Sequence, residues 1–229
     1  MKAVAIVSGG MDSVTLAYYL TSEGYVLHML SFDYGQRHRK ELEFAQRAAK
    51  TLAAEWDLID LKAAGVQRLL RGSAITDAAV DVPEGHYSDE TMRLTVVPNR
   101  NAIMLAIAYA AAVSDRATVV AAAMHAGDHA IYPDCRPEFV RAFAAMERLA
   151  TEGQGKIDLL VPFTDKSKAD IAALGARLAV PFEHTWSCYK GEEIHCGACG
   201  TCYERREAFQ RAGIPDPTRY TTTPIFQAP

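Results

Sequence analysis

Six residues early in the chain, Ser8-Gly9-Gly10-Met11-Asp12-Ser13, combine the features that hold a phosphate. They follow a short apolar run and open an apolar-periodic stretch. At a helix N-terminus the unsatisfied backbone N–H groups and the positive end of the dipole favour an anion, and two glycines let the backbone approach it closely. Ser8 and Ser13 add hydroxyl donors. A plain turn, with serine as cap and glycine for the bend, would also use such residues, but Gly-Gly flanked by serines exceeds what a cap requires. Neither a Gly-Lys-Ser/Thr phosphate loop nor G-x-G-x-x-G occurs in the chain, so an ATPase of the Walker type or a Rossmann dehydrogenase is unsupported.

The second group lies near the other end. Four of the five cysteines crowd into Cys188, Cys196, Cys199 and Cys202, the last three forming two overlapping C-x-x-C units. Four thiolates suit a tetrahedral Zn²⁺, and the interleaved glycines allow the tight knuckle that gathers sulfurs on one ion. A closed site of this kind is structural. An iron–sulfur cluster and a redox pair are the competing readings. His195 is a bystander where four sulfurs complete the sphere, and Cys135 reads as a buried, inert thiol, with a nucleophile as the alternative.

Further polar residues stand where a ligand could be met. Arg100, in Val97-Pro98-Asn99-Arg100-Asn101, precedes a long apolar helix and could make a charge-assisted contact to phosphate; otherwise it is a solvated first-turn residue between two caps. His125-Ala126-Gly127-Asp128-His129 follows a strand at the edge where open α/β sheets bind ligands, which makes His125 and Asp128 candidate substrate contacts. Gly127 argues for a loop there and against a helical pair of zinc ligands. Lys168 opens a helix and reads equally as a phosphate ligand or a surface lysine.

The elements that must position these residues alternate between short apolar runs and longer helical patterns, the signature of βαβ units and a parallel sheet. Residues 2–7, 26–32, 56–61 and 118–123 read as strands; 12–22, 39–52, 101–114, 137–151, 167–178 and 203–211 read as helices. Residues 62–98 show no clear period and read as a segment that orders over a ligand. Near Val180-Pro181 the α/β pattern gives way to Cys, Gly and aromatic residues, which sets domains at 1–180 and 181–229, with the tail from Ile214 packing as extended chain. The first apolar run is read as a strand rather than a signal peptide, and no apolar run is long enough to cross a membrane, so a cytoplasmic protein is expected. A net charge of −4 argues against a nucleic-acid footprint, and the basic run Arg37-His38-Arg39-Lys40, followed by Glu41 and Glu43, reads as a solvated helix face.

The Ser-Gly-Gly-x-Asp-Ser string resembles the pyrophosphate loop of N-type ATP pyrophosphatases. Together with residues 31–38 (Ser-Phe-Asp-Tyr-Gly-Gln-Arg-His), 97–101, 125–129, 132–139, 185–189 and the cysteine cluster, it resembles the QueC family of 7-cyano-7-deazaguanine synthases in queuosine biosynthesis. The likeness runs from Lys2 to Thr218, with Ala123-Met124 standing where a glycine is expected. The resemblance implies a Rossmann-like parallel sheet of the adenine nucleotide alpha hydrolase type with a small C-terminal zinc-binding lobe. It implies a ligase that turns 7-carboxy-7-deazaguanine and ammonia into the nitrile through acyl-adenylate and amide intermediates, releasing AMP and pyrophosphate. It also implies that Asp12, Arg100 and Lys168 serve catalysis and that Ser8, Gly9, Gly10, Met11, Asp12, Ser13, Asp33, Gln36, Arg100 and Lys168 hold ATP, with Mg²⁺ at Asp12. His125, Asp128, Tyr132 and Asp134 would then contact the substrate, and Cys188, Cys196, Cys199 and Cys202 would hold structural Zn²⁺. Free ammonia is the expected nitrogen donor because no glutaminase domain is visible, and a homodimer is a family expectation.

Overall fold

The computed structural model describes residues 1–222; the part of the expected extended tail beyond Thr222 lies outside them. In chain order the strands are β1 (Lys2–Ile6), β2 (Val26–Asp33), β3 (Glu55–Asp60), β4 (Val119–Ala121) and β5 (Asp158–Leu160). The helices are α1 (Met11–Ser22), α2 (Glu41–Thr51), α3 (Asp89–Arg93), α4 (Arg100–Asp115), α5 (Pro137–Ala150), α6 (Lys168–Arg177) and α7 (Gly200–Ala212).

The five strands form one sheet in the order β3-β2-β1-β4-β5. Every pairing is parallel. After Lys2, β1 and β4 are short runs of Val, Ala and Ile, buried apart from the partly covered Ile6, as expected of central strands covered on both faces. Alternation along β1 and just past it divides the core: Ala3, Ala5 and Val7 pack with α1, α2, α6 and α7, while Val4 packs on the opposite face with α4 and α5. From β1 the chain works outward through β2 to β3, then returns to the other side of β1 for β4. Two neighbouring connections therefore leave the sheet in opposite directions between β1 and β4, which opens a crevice at their carboxyl ends.

The structure adds to the sequence reading in two places. β5 was not anticipated, because three residues are too few to show a period. Residues 62–98, which show no clear period in sequence, are ordered by separate anchors: Leu70, Ile75 and Val97 enter the α4 side of the core, and Ser88 caps α3 by accepting from the Thr91 N–H. Each anchor serves its own turn, so no single period runs through the segment. Its far end straps onto the cysteine region, where Gly85 N–H donates to Ala198 O (2.8 Å) and Gly200 N–H to Pro83 O (3.1 Å). The helix after the cysteines is no separate appendage to the core, since Ala208 and Phe209 of α7 pack with α1 and β1.

Candidate active site

β1 ends at the mouth of the crevice and the phosphate-type loop turns there. Gly9 has φ +96°, and a Cβ on it would stand 2.0 Å from Glu41 O and 2.8 Å from Ala45 N. Glycine at this position thus serves the turn and the close seating of the loop on α2, as well as any approach to a ligand. The serines brace the loop from inside. Ser13 Oγ donates to Gly10 O (3.2 Å) and accepts from Ser8 N–H (3.2 Å), and Gly10 N–H donates to Ser8 Oγ (3.3 Å). Gly10 caps α1 without a side-chain bond, leaving first-turn N–H groups for an outside acceptor.

In front of the loop is a cavity of about 250 Å³. Ser8, Gly10, Met11, Asp12, Ser13, Arg100, Asp128, Tyr132 and Lys168 all contribute to its wall, so residues from β1, α1, α4, the β4 edge and α6 meet in one place. Lys168 Nζ donates to Glu204 Oε2 (2.8 Å) and lies 3.9 Å from Asp12 Oδ2. Burial opposes its charge, but the Glu204 and Asp12 carboxylates outweigh burial and raise its pKa. Asp12 Oδ1 is buried with no hydrogen-bond partner among the described residues. Arg100 contacts tyrosine: Nη1 donates to Tyr34 Oη (3.3 Å) and the guanidinium lies 5.7 Å from the Tyr34 ring centre. Among the described residues no carboxylate comes within ion-pair range of it.

Other predicted residues stand behind this wall. His125 is buried; its Nδ1 accepts the Gly127 N–H (3.1 Å), and its Nε2 lies 3.7 Å from Asp12 and 3.6 Å from Asp128. Asp33 and Gln36 shape the turn after β2. Asp33 Oδ1 accepts from Gly35 N–H (3.1 Å); Gln36 Oε1 accepts from Tyr34 N–H (3.0 Å), and its Nε2 donates to Phe32 O (2.9 Å). Asp134 Oδ2 accepts the Asn101 N–H (3.0 Å) in the first turn of α4. Cys135 lines the cavity, takes a hydrogen bond from Asn101 Nδ2 (3.1 Å) and has its thiol pKa pushed up by burial.

The wall also contains residues that sequence reasoning passed over: His38, Glu41, Tyr189, Ser187 and Arg205. The run 37–41, expected to face solvent, turns His38 and Glu41 inward, with His38 Nε2 3.4 Å from Glu41 Oε1. Burial lowers the His38 pKa to about 3, aided by Arg100, and raises that of Glu41 to about 8 against the pull of Gln36 and Arg100. The available signal was spacing. His38, Glu41 and Ala45 recur at helical intervals, and that face is the apolar-facing one.

Away from the cavity the four predicted cysteines come together. All are buried, and their sulfurs lie within 4.8 Å of one another. Two pairs, Cys196–Cys202 and Cys188–Cys199, are 3.9 and 4.0 Å apart. Sulfurs at ~2.3 Å from one tetrahedral ion stand about 3.8 Å from each other, so the set fits a single metal ion. Backbone N–H groups of Ala198 and Cys199 point at Cys196 Sγ (3.3 and 3.2 Å), as thiolate acceptors require. Gly197, at φ +78°, could carry no side chain, because a Cβ would meet Thr222 O at 1.9 Å. His195 is no ligand of this set. Its Nε2 accepts the Ser187 N–H (3.0 Å) while its ring packs on Trp186, 4.3 Å between centres.

The model of the family described as queuosine biosynthesis protein QueC matches residues 2–213. The chain belongs to the QueC family. The 7-cyano-7-deazaguanine synthases of Brucella ovis and Brucella canis are each 55% identical to it over 228 residues, covering 100% of this chain and 97% of theirs. Among solved structures, the NMN synthetase of Francisella tularensis aligns over 83% of this chain and 68% of its own, at 18% identity and a TM-score of 0.49.

Proposed function

We propose that this QueC-family cavity adenylates first a carboxylate and then the amide made from it, with residues 8–13 gripping the outer phosphates of ATP as pyrophosphate departs. The chain is a 7-cyano-7-deazaguanine synthase of queuosine biosynthesis, as its family and its full-length identity to such synthases establish. The observation that carries the adenylation reading is the convergence, on one cavity, of uncapped first-turn N–H groups, Lys168 and an Arg100 that no carboxylate of the described residues pairs. An anion completes such a wall better than water does.

The chemistry requires activation. A carboxylate does not exchange its oxygen for ammonia directly, because oxide cannot leave, whereas an acyl-adenylate loses AMP readily. The amide that forms can be adenylated through its oxygen and then lose AMP, its nitrogen giving up two protons, to leave the nitrile. Two ATP are consumed, and ammonia suffices as donor. The residues contribute position and charge: Ser8, Gly9, Gly10, Met11 and Ser13 seat the phosphates, while Arg100 and Lys168 neutralise charge that builds on the departing pyrophosphate. Asp33 and Gln36 act from behind by shaping the β2 end of the nucleotide site. Asp128 and Tyr132 line the cavity past β4, where the deazapurine would lie, and His125 and Asp134 would act from behind them.

Mg²⁺ bound with the nucleotide would offset polyphosphate charge. Asp12, with its buried and unpartnered Oδ1, would hold it, and Asp128, facing the same His125 edge, is the second carboxylate available. Zinc is the metal best matched to the four buried sulfurs, and its role there is structural. We read residues 1–180 as the ATP pyrophosphatase unit and the remainder as the metal lobe, which together with residues 62–98 keeps water from an easily hydrolysed acyl-adenylate. Incubation of 7-carboxy-7-deazaguanine with ammonium and Mg-ATP should yield AMP, pyrophosphate and the nitrile by mass spectrometry. Recovery of ADP refutes adenylation, and an amide that goes no further reassigns the enzyme to amide synthesis.

A further inference from the structure

We propose that Ser187 is a further phosphate-binding residue, its hydroxyl turned toward the nucleotide by Arg205. This rests on the reading that the outer phosphates of ATP lie at residues 8–13.

Arg205 is only 1% exposed, and its guanidinium serves neutral acceptors. Nη1 donates to Ser187 Oγ (3.0 Å) and Thr185 Oγ1 (2.8 Å), Nη2 to Phe182 O (2.8 Å) and Nε to Thr218 Oγ1 (2.7 Å). The nearest carboxylate, Asp216, is 4.0 Å from Nε. A guanidinium has no acceptor, so at Ser187 the hydroxyl oxygen must receive the bond. The Ser187 O–H proton is then left to be donated elsewhere, and among the described residues it has no acceptor. Its backbone N–H is committed too, to His195 Nε2 (3.0 Å). A hydroxyl whose oxygen already accepts from a cation is a polarised, strengthened donor.

Its place matches that chemistry. Ser187 and Arg205 both belong to the cavity wall. The preceding residue ties the segment to the phosphate loop, since Trp186 N–H donates to Gly9 O (2.8 Å) and Trp186 O lies 3.5 Å from where a Gly10 Cβ would stand. The acceptor that completes Ser187 is therefore an anionic oxygen held at that loop, a phosphate oxygen of the nucleotide or of pyrophosphate.

The test is isothermal titration of the full-length protein with Mg²⁺ and the uncleavable α,β-methylene analogue of ATP. Ser187→Ala should weaken binding roughly tenfold to a hundredfold, the range for losing a hydrogen bond to a charged partner. Ser187→Thr, which retains the hydroxyl, should recover most of that loss. Thr185→Val removes the other Nη1 acceptor without touching a cavity hydroxyl; it should lower the unfolding midpoint and leave analogue affinity near wild type. Equal affinity in Ser187→Ala and wild type overturns the proposal, as does an equal loss in Thr185→Val and Ser187→Ala, which would make Arg205 a structural clamp only. Absence of binding by the wild type would instead overturn the reading of the phosphate loop.

Discussion

Replacing Lys168 by Met keeps the length of the side chain and removes its charge, which isolates the electrostatic contribution of the residue. Lys168 Nζ stands 2.8 Å from Glu204 and 3.9 Å from Asp12, and its side chain is 23% exposed. At an effective dielectric of about 20, one phosphate charge ~4 Å from an ammonium is worth about 4 kcal/mol. Water reaching the side chain leaves roughly half of that, about 2 kcal/mol or thirtyfold in kcat/KM for ATP. The assay is pyrophosphate release against ATP concentration. A rise in KM alone marks a contact equally strong in ground and transition states, and a fall in kcat marks charge stabilised as pyrophosphate leaves. The substitution also removes the counter-charge that Glu204 and Asp12 share, so the unfolding midpoint should fall at neutral pH. Adding Glu204→Gln should restore stability without restoring activity. A kcat/KM for ATP within threefold of wild type would refute the assignment of Lys168 to the phosphates.

Glu41 and His38 give stability a pH signature. The Glu41 pKa rises on folding to about 8, so between its unfolded value of 4.5 and about 8 the native state binds the extra proton and stability falls as pH rises; His38, lowered to about 3, makes stability rise with pH from about 3 up to 6.5. The two oppose each other up to pH 6.5 and only the Glu41 effect remains above it, so urea titrations should show a decline from pH 6.5 to 8 that Glu41→Gln abolishes; a flat wild-type profile would contradict this. Gly9→Ala should unfold the protein at temperatures lower by on the order of 10 °C, because its Cβ meets backbone at 2.0 Å, whereas Gly10→Ala, whose Cβ has 3.4 Å to Ser8 Oγ, should keep stability and lose analogue binding. Thermal melts alongside titration would expose an error if the two variants behaved alike. Metal analysis should find one zinc ion per chain, and Cys196→Ser should lose it with a lower melting temperature; a wild-type protein that is folded, active and free of metal after chelation would refute the structural role.

The parts legible in the sequence are those whose physics is local. A phosphate loop needs its glycines, serines and strand-to-helix turn within six residues, and a metal knuckle needs its cysteines three apart, so both stand out before any fold is known. β1 was readable because a central parallel strand buried on both faces shows as a nearly continuous apolar run, and β2 because its apolar residues outnumber the buried His28, Ser31 and Asp33 among them. β5 was hidden by its length, and residues 62–98 by their anchoring at isolated points. The charged run at 37–41 misled for a different reason. Mixed charge made the run read as a solvated helix face; the helical spacing of His38, Glu41 and Ala45 was the weaker, overlooked signal, and the packing of Tyr189 against His38 (ring centres 4.8 Å apart) and of Gly9 against Glu41 O turns that face inward.

The glycine loop at residues 8–13 and the cysteine cluster, separated by more than 170 residues in sequence, are mechanically one object, and α7 is the reason. Its first turn begins beside Cys199 and contains Cys202, so whatever gathers the four sulfurs also fixes where that helix starts. One turn later, adjacent residues hold two parts of the cavity wall: Glu204 meets Lys168, and Arg205 holds the 182–187 segment whose Trp186 N–H grips Gly9 O. Phe209 then anchors the helix by packing edge-on against Phe182, with ring centres 4.9 Å apart. A shift of α7 by one residue would rotate these side chains by about 100° and break the Lys168 and Ser187 contacts together. Four cysteines that lie away from the cavity can therefore still set its geometry, since the helix that starts at them carries two of the contacts that shape the proposed phosphate site.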